Sequence, residues 1–126
     1  MSESLIIFPT EDSNEFNYNI FINFIISMDG VYNTFAKKES KYSSFAGIYQ
    51  YNNKEIFFYI GKTKPFVSVK TLTKAALNFA IELQKLSPVS LTATNDSYSF
   101  LCNLENISSI EEFKKIISQN IYMDKQ

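Results

Sequence analysis

The sequence contains no arginine, no histidine and no tryptophan, and its single cysteine is Cys102. Without histidine the chain has no imidazole to act as an acid or base near pH 7 or to bind a metal. Without arginine it has no guanidinium fork to hold a phosphate at two points. One cysteine excludes an internal disulfide. These absences argue against histidine triads, zinc centres and nucleotide-binding loops, for which the three glycines are also too scattered. We expect no cofactor and no metal.

Long apolar runs are missing as well. The longest uncharged apolar stretch, residues 20–28, is interrupted by Asn23 and Ser27 and is far shorter than the ~20 residues of a membrane span. Residues 1–4 lack the basic region that opens a signal peptide. We therefore expect a cytoplasmic protein with no membrane partner.

The composition that remains is typical of a globular domain. The chain has 126 residues, of which 45% are hydrophobic and 20% charged, and twelve lysines against thirteen acids give a net charge of −1. A chain of this length buries about two-thirds of its unfolded surface. Residues 1–126 are therefore expected to form a single domain.

The first part of the chain predicts a strand followed by a helix. Residues 5–8 are apolar and precede a proline. From Glu15 onward, polar residues recur six times over 22 residues, about 3.7 residues per step, which is the period of an α-helix. A rival strand over residues 17–26 fails its alternation at two positions, so we interpret this segment as a helix that continues to Lys38.

Two β-hairpins follow in the pattern. Residues 45–51 and 55–61 are rich in Ile, Phe and Tyr, and the Asn-Asn-Lys between them suits turn positions with positive φ. Residues 89–94 and 98–104 flank Asn-Asp-Ser and form the second pair. Residues 66–69 either extend the sheet or lead into the next helix.

Two further helices are predicted from their end signals. One has Thr71 or Thr73 at its cap and stops after Leu86, where Ser-Pro follows. The other opens on Ser108 and Glu111, which have the spacing of a capping box. The expected fold is α+β, a mainly antiparallel sheet of about five strands with helices packed on it, in the order β-α-ββ-α-ββ-α.

The first hairpin carries the one motif with a chemical meaning. Residues 47–49 are Gly-Ile-Tyr and residues 59–61 are Tyr-Ile-Gly, with nine residues between them. This pattern resembles the signature of the GIY-YIG nuclease family, in which the two tripeptides lie on adjacent antiparallel strands. Lys62, just after the second tripeptide, is also similar to members of that family.

The resemblance implies a nuclease site. Tyr49 and Tyr59 would orient the water and the scissile phosphate, Lys62 would help to neutralise charge, and Glu105 would bind the metal. The family arginine is missing, and Lys70 stands nearest to its place. A lysine cannot reproduce the planar fork of an arginine. A degenerate nucleic-acid-binding relative of the family is therefore the alternative function.

The eight tyrosines suggest a second route to nucleic acid, because an aromatic sheet can stack single-stranded bases. Without arginine and without a basic excess the electrostatic part of such a site is missing. We therefore interpret the tyrosines as packing residues and do not expect a nucleic-acid partner.

Acidic residues gather near the starts of the first and last predicted helices. Carboxylates at helix N-termini are favourable in themselves, and the alternative is an acidic surface that docks a basic partner. The candidate partner-binding residues are Glu11, Asp12 and Glu15 in the first cluster, and Glu105, Glu111 and Glu112 in the second.

A small, acidic α+β chain without a complete catalytic set resembles, in its general character, the immunity proteins of contact-dependent or polymorphic toxin systems. The resemblance implies binding without catalysis. The implied partner is a cognate toxin domain, frequently a basic nuclease, whose association acidic residues would accelerate.

Overall fold

The computed structural model describes residues 4–11, 18–36, 43–61 and 66–119, and within them it is an α+β fold. The strands are β1 (Leu5–Pro9), β2 (Val31–Ala36), β3 (Ser43–Tyr51), β4 (Lys54–Gly61), β5 (Val67–Val69), β6 (Leu91–Asn95) and β7 (Leu101–Asn103). The helices are α1 (Tyr18–Ile26), α2 (Lys74–Leu86) and α3 (Ile110–Ser118), and a 3₁₀ turn spans Leu104–Asn106.

The strands form one sheet in the order β2-β3-β4-β5-β1-β6-β7, and every neighbouring pair in it is antiparallel. The predicted α+β class and antiparallel sheet are confirmed. The predicted strand number is wrong, since the described residues contain seven strands where about five were expected. The predicted element order is also wrong, because β2 and β5 were not part of it.

Strand β2 occupies residues that the periodicity assigned to the first helix. That helix ends at Ile26, and Gly30, at φ 94°, turns the chain back into the sheet. The pairing of β2 with β3 shifts register between Tyr32 and Phe35, next to Asn33 at φ 52°. The bulge places Tyr32 and Phe35 on the same face although they are three residues apart. A three-residue spacing also occurs in helices, and this explains the wrong prediction.

The predicted hairpin between β3 and β4 is confirmed. Its two-residue turn consists of Asn52 at φ 50° and Asn53 at φ 64°. Positive φ at both central positions matches the right-handed twist of the flanking strands, and asparagine tolerates it better than most residues. The turn sets the register of the whole hairpin, including the pairs Tyr49–Ile56 and Ala46–Tyr59.

The helices cover one face of the sheet. Phe79 of α2 stacks on Phe58 of β4 with ring centroids 5.4 Å apart. Phe113 of α3 meets Phe100, just before β7, edge-on at 6.3 Å. Both α1 and α3 contact α2, so the three helices lie together over a single buried core.

The cap of α3 lies one residue later than the sequence pattern placed it. The Ser109 hydroxyl accepts the N–H of Glu112 at 3.2 Å, and the Glu112 carboxylate accepts the N–H of Ser108 at 2.8 Å. The N-cap residue is therefore Ser109, and Glu112 reaches back to the N–H of Ser108, the residue before the cap. The capping box predicted for Ser108 and Glu111 is not formed. For α2, Thr73 is the N-cap residue, although its side chain makes no capping bond.

Candidate functional site

Tyr49 lies on the helix-covered face, where only 3% of its surface is exposed. Its hydroxyl accepts a hydrogen bond from the Asn78 amide nitrogen at 2.6 Å, and its ring meets Phe79 edge-on at 5.1 Å. Burial raises the pKa of Tyr49, while the Asn78 hydrogen bond partly opposes that shift. The hydroxyl is therefore protonated at neutral pH.

Tyr59 lies on the other face. It is three residues along β4 from Ile56, the partner of Tyr49, and side chains an odd number of residues apart on a regular strand point to opposite faces. The ammonium of Lys70 lies 5.4 Å from the centre of the Tyr59 ring. The two tyrosines of the tripeptides are thus separated by the sheet itself.

Glu105 lies at the opposite edge of the sheet. It belongs to the 3₁₀ turn that follows β7, and β7 is five strand positions from β3 in the sheet order. At about 4.8 Å per strand this separation is roughly 24 Å. Lys62 lies outside the described residues. The structure therefore does not bring Tyr49, Tyr59 and Glu105 together around one water and one phosphate.

The acidic residues do come together in part. Thr10, next to Glu11, is linked to Ser90, with their hydroxyls 3.0 Å apart, and the Ser90 hydroxyl donates to the Asn103 side chain at 2.7 Å. The same Asn103 oxygen accepts the N–H of Glu105 at 3.0 Å. Glu11 and Glu105, which are 94 positions apart in the sequence, therefore lie at the same end of the sheet.

Glu111 and Glu112 are exposed in the first turn of α3. Glu112 is engaged in the cap described above, so its carboxylate has a structural role. Glu11, Glu105 and Glu111 are exposed, and none of them is in an ion pair within the described residues. Asp12 and Glu15 lie outside the described residues.

A surface that the sequence did not predict lies on the face of the sheet that none of the described helices covers. Phe35 of β2 and Phe57 of β4 are 56% and 57% exposed. They line a groove of about 290 Å³ over β3, to which Ala46, Ile48 and Tyr59 also contribute. The small side chain of Ala46 opposite Tyr59 leaves room between the two aromatic walls.

Alternation along β4 was the signal that could have identified this groove. Phe58 and Ile60 are completely buried, whereas Phe57 between Ile56 and Phe58 is exposed. A half-buried strand alternates in this way. However, residues 56–60 are all aliphatic or aromatic, which masked the alternation, and the hairpin prediction did not assign a face to either phenylalanine.

Beside the groove, Glu55 and Lys70 are the charged residues in the described part of the chain, and their charges cancel. Glu55 is two residues before Phe57 and shares its face, and Lys70 is the residue over Tyr59. The described residues contain no group of three potential metal ligands. They also contain no helix long and apolar enough to cross a membrane.

Comparison of this chain with protein-family models, with curated proteins and with solved structures gives no match.

Proposed function

We propose that the chain is a non-catalytic protein-binding inhibitor, an immunity protein that neutralises a cognate toxin domain in the cytoplasm. The observation that carries the proposal is the aromatic groove between Phe35 and Phe57. Exposed aromatic side chains that line a common groove are typical of protein-interaction sites, where phenylalanine is enriched and charged residues are depleted in the centre. The rings of both Phe35 and Phe57 would lose contact with water when a partner side chain fills the groove.

The overall charge favours a protein over a nucleic acid as the occupant. Binding to a phosphate backbone requires a basic surface, whereas the chain has a net charge of −1, and the described charged residues beside the groove are one acid, Glu55, and one base, Lys70. Glu11, Glu105 and Glu111 are exposed and form no ion pair with another described residue, and Glu105 follows β7, at the edge of the sheet opposite the groove. They would accelerate the approach of a basic partner without forming the centre of the interface.

The first experiment tests the groove. A tagged full-length chain is used to capture proteins from its native host, and the affinity for the captured partner is then measured. We expect Phe35→Ser together with Phe57→Ser to abolish capture, because both walls of the groove are removed. The matched control is Tyr98→Ser, since Tyr98 is an aromatic residue with 61% exposure away from the groove. Equal capture by both variants would contradict the proposal.

The second experiment tests the electrostatic part. Reversing Glu105 to Lys should slow association with a basic partner and weaken its salt dependence, because rim charges act mainly on the association rate. Asp96→Lys is the control. Asp96 is also exposed, in the turn between β6 and β7, at the other end of these strands. If both reversals act alike, the acidic end does not steer the partner.

An active nuclease would give a different result from the one that the inhibitor proposal predicts. Incubation with plasmid, single-stranded DNA and RNA in Mg²⁺ or Mn²⁺ should leave all three intact. Cleavage that is lost in both Tyr49→Phe and Glu105→Ala would favour the nuclease function instead, even though roughly 24 Å separates these residues.

A further inference from the structure

A second cleft, of about 700 Å³, lies on the helix-covered side between the end of α1, the end of β3 and the middle of α2. Tyr49 and Asn78, which are joined by their side-chain hydrogen bond, lie on its wall, and the acidic residues Asp29 and Glu82 line it too. The ring of Tyr51 also contributes. The cleft therefore combines a buried hydrogen-bonding pair with two acids and an aromatic surface.

Local backbone geometry positions the first carboxylate. Asp29 and Gly30 form a turn that is closed by a hydrogen bond from the Val31 N–H to the Met28 carbonyl at 3.2 Å. Gly30 has φ 94°, and a Cβ on it would lie 2.7 Å from the Gln50 carbonyl oxygen. Only glycine allows this close approach to β3, and the approach holds Asp29 beside Tyr49.

Helix periodicity positions the second carboxylate. Glu82 follows Asn78 by four residues on α2, so both side chains lie on the same face of the helix. Glu82 also forms an ion pair with Lys85, 2.8 Å apart and largely exposed. Such exposed pairs contribute little to stability, so Lys85 is a weak competitor for Glu82.

The summed charge of the described ionisable groups in the cleft is negative, with Asp29 and Glu82 opposed by Lys85. Besides burial, Glu82 and Asp29 also raise the pKa of Tyr49, which indicates that both carboxylates act on the same point. One oxygen of Glu82 accepts from Lys85, whereas no described residue donates a hydrogen bond to the Asp29 carboxylate or to the Asn78 carbonyl oxygen. A group with several donors and a positive charge would satisfy them.

We infer that this cleft is a subsite for a cationic side chain of the basic partner, and that it fits the planar guanidinium of an arginine. One edge of the guanidinium would donate to the two carboxylates, and its face would lie against the Tyr51 ring. The source of the arginine depends on the proposed function, but the chemistry of the cleft does not. A small probe can therefore test it alone.

The probe is N-acetyl-arginine methylamide, which has one positive charge, and its uncharged isostere is N-acetyl-citrulline methylamide. Each is titrated into the isotopically labelled full-length chain, and the Asn78 side-chain amide signals are followed by NMR. We expect a saturable shift with the arginine probe and none with the citrulline probe. Equal shifts with both, or no shift with either, would overturn the inference.

Two variants with the same charge change locate the binding. Asp29→Asn removes a carboxylate of the cleft and should weaken binding of the arginine probe about tenfold or more, equivalent to about 1.4 kcal/mol. Asp96→Asn removes the same charge in the turn between β6 and β7 and should leave binding unchanged. Both side chains are exposed, so the fold is expected to persist. Equal weakening by both variants would show a general charge effect and overturn the subsite.

Lys85→Gln gives a result of opposite sign. It removes the ammonium that is paired with Glu82, so it should strengthen binding of the arginine probe, and weaker binding would contradict the inference.

The proposed function and the arginine subsite can fail separately. If the probe binds here while the groove variant captures partner normally, the subsite stands and the aromatic interface fails. If the probe does not bind while the groove variant loses the partner, the aromatic interface stands and the cleft is not part of it.

Discussion

The two faces of the sheet are built from similar residues and have opposite surroundings. Phe57 and Phe58 are neighbours in the sequence, yet Phe57 is 57% exposed and Phe58 is completely buried. Phe58 stacks under Phe79 of α2, whereas Phe57 lines the open groove. The difference shows that in this protein the position of the helices, not hydrophobicity, distinguishes core from surface. An apolar side chain that no helix packs against, such as Phe57, is therefore a better indication of function than a buried one such as Phe58.

The largest expected effect comes from the covered face. Phe58→Ala should lower the free energy of unfolding by about 3–5 kcal/mol, because the removed ring leaves a cavity against Phe79. Phe57→Ala should change it by less than about 1 kcal/mol, since its ring is mostly in water. Urea unfolding at 25 °C measures both. Equal losses would mean that the groove is part of the core.

Gly47→Ala sharpens the same comparison on β3. A Cβ at Gly47 would lie 2.6 Å from the end of the Phe58 ring and 2.9 Å from the Thr34 methyl. Because Phe58 is held by Phe79, we expect a loss of up to about 3 kcal/mol from overpacking. Combining it with Phe58→Leu should recover part of the loss. No recovery would show that the glycine is required for another reason.

The buried face should also respond to alkaline pH through Cys102. Burial raises the pKa of Cys102 from 9.0 to about 12, so the folded state keeps a proton that the unfolded state loses. The contribution of the Cys102 thiol to the free energy of unfolding is complete below about pH 9 and is lost as the pH rises toward 12. At pH 10.5 the loss is about 2 kcal/mol, at about 1.4 kcal/mol per pH unit.

Cys102→Ala is the control for this pH effect, since alanine does not titrate. The variant should be less stable than the parent chain at pH 7.5, and the difference should shrink by pH 10.5. If the free energies of unfolding of the parent chain and of the variant, measured in urea, fall by the same amount between these pH values, the thiol is not the group responsible.

The smallest expected effect concerns the N-terminus of α3, one of the helices that cover the sheet. Ser109→Ala removes the side-chain cap of α3 and should cost about 1 kcal/mol. Ser108→Ala should cost much less, because Ser108 contributes its backbone N–H to Glu112 at 2.8 Å and its hydroxyl only at 3.4 Å. Thermal unfolding of the two variants distinguishes them. The reverse order would return the cap to the position that the sequence pattern predicted.

Local signals predicted much of this fold. The Asn-Asn turn, the end of α2 before Pro88 and the alternation in the second hairpin each depend on residues close in sequence. The prediction failed where an irregularity imitated another period, as the bulge at Asn33 does in β2. It left β5 undecided between a strand and a lead into the next helix, because three residues between Phe66 and Lys70 are too few to show a pattern; the structure places them in the sheet.

The site was less predictable than the fold. The placement of Glu11 and Glu105 at the same end of the sheet depends on the pairing of β1 with β6 and of β6 with β7, and no local pattern encodes such long-range pairing. The separation of Tyr49 from Tyr59 followed from strand alternation, but the tripeptide resemblance directed attention to spacing instead. The exposure of Phe57 depends on which face of the sheet the helices cover, and this is set by the tertiary structure and not by the local sequence.

The order of the strands has a consequence for how the chain acquires its structure. Strand β1 comes first in the sequence but lies between β5 and β6 in the sheet, and Leu5 pairs with Asn95. During synthesis β1 must therefore wait, with its apolar residues unpaired, until β5 and β6 have been made. Contacts between residues so far apart in sequence slow folding and prolong the exposure of unpaired strand edges. Variants that weaken β6 should consequently aggregate during expression more readily than equally destabilised variants of the β3–β4 hairpin, which closes locally.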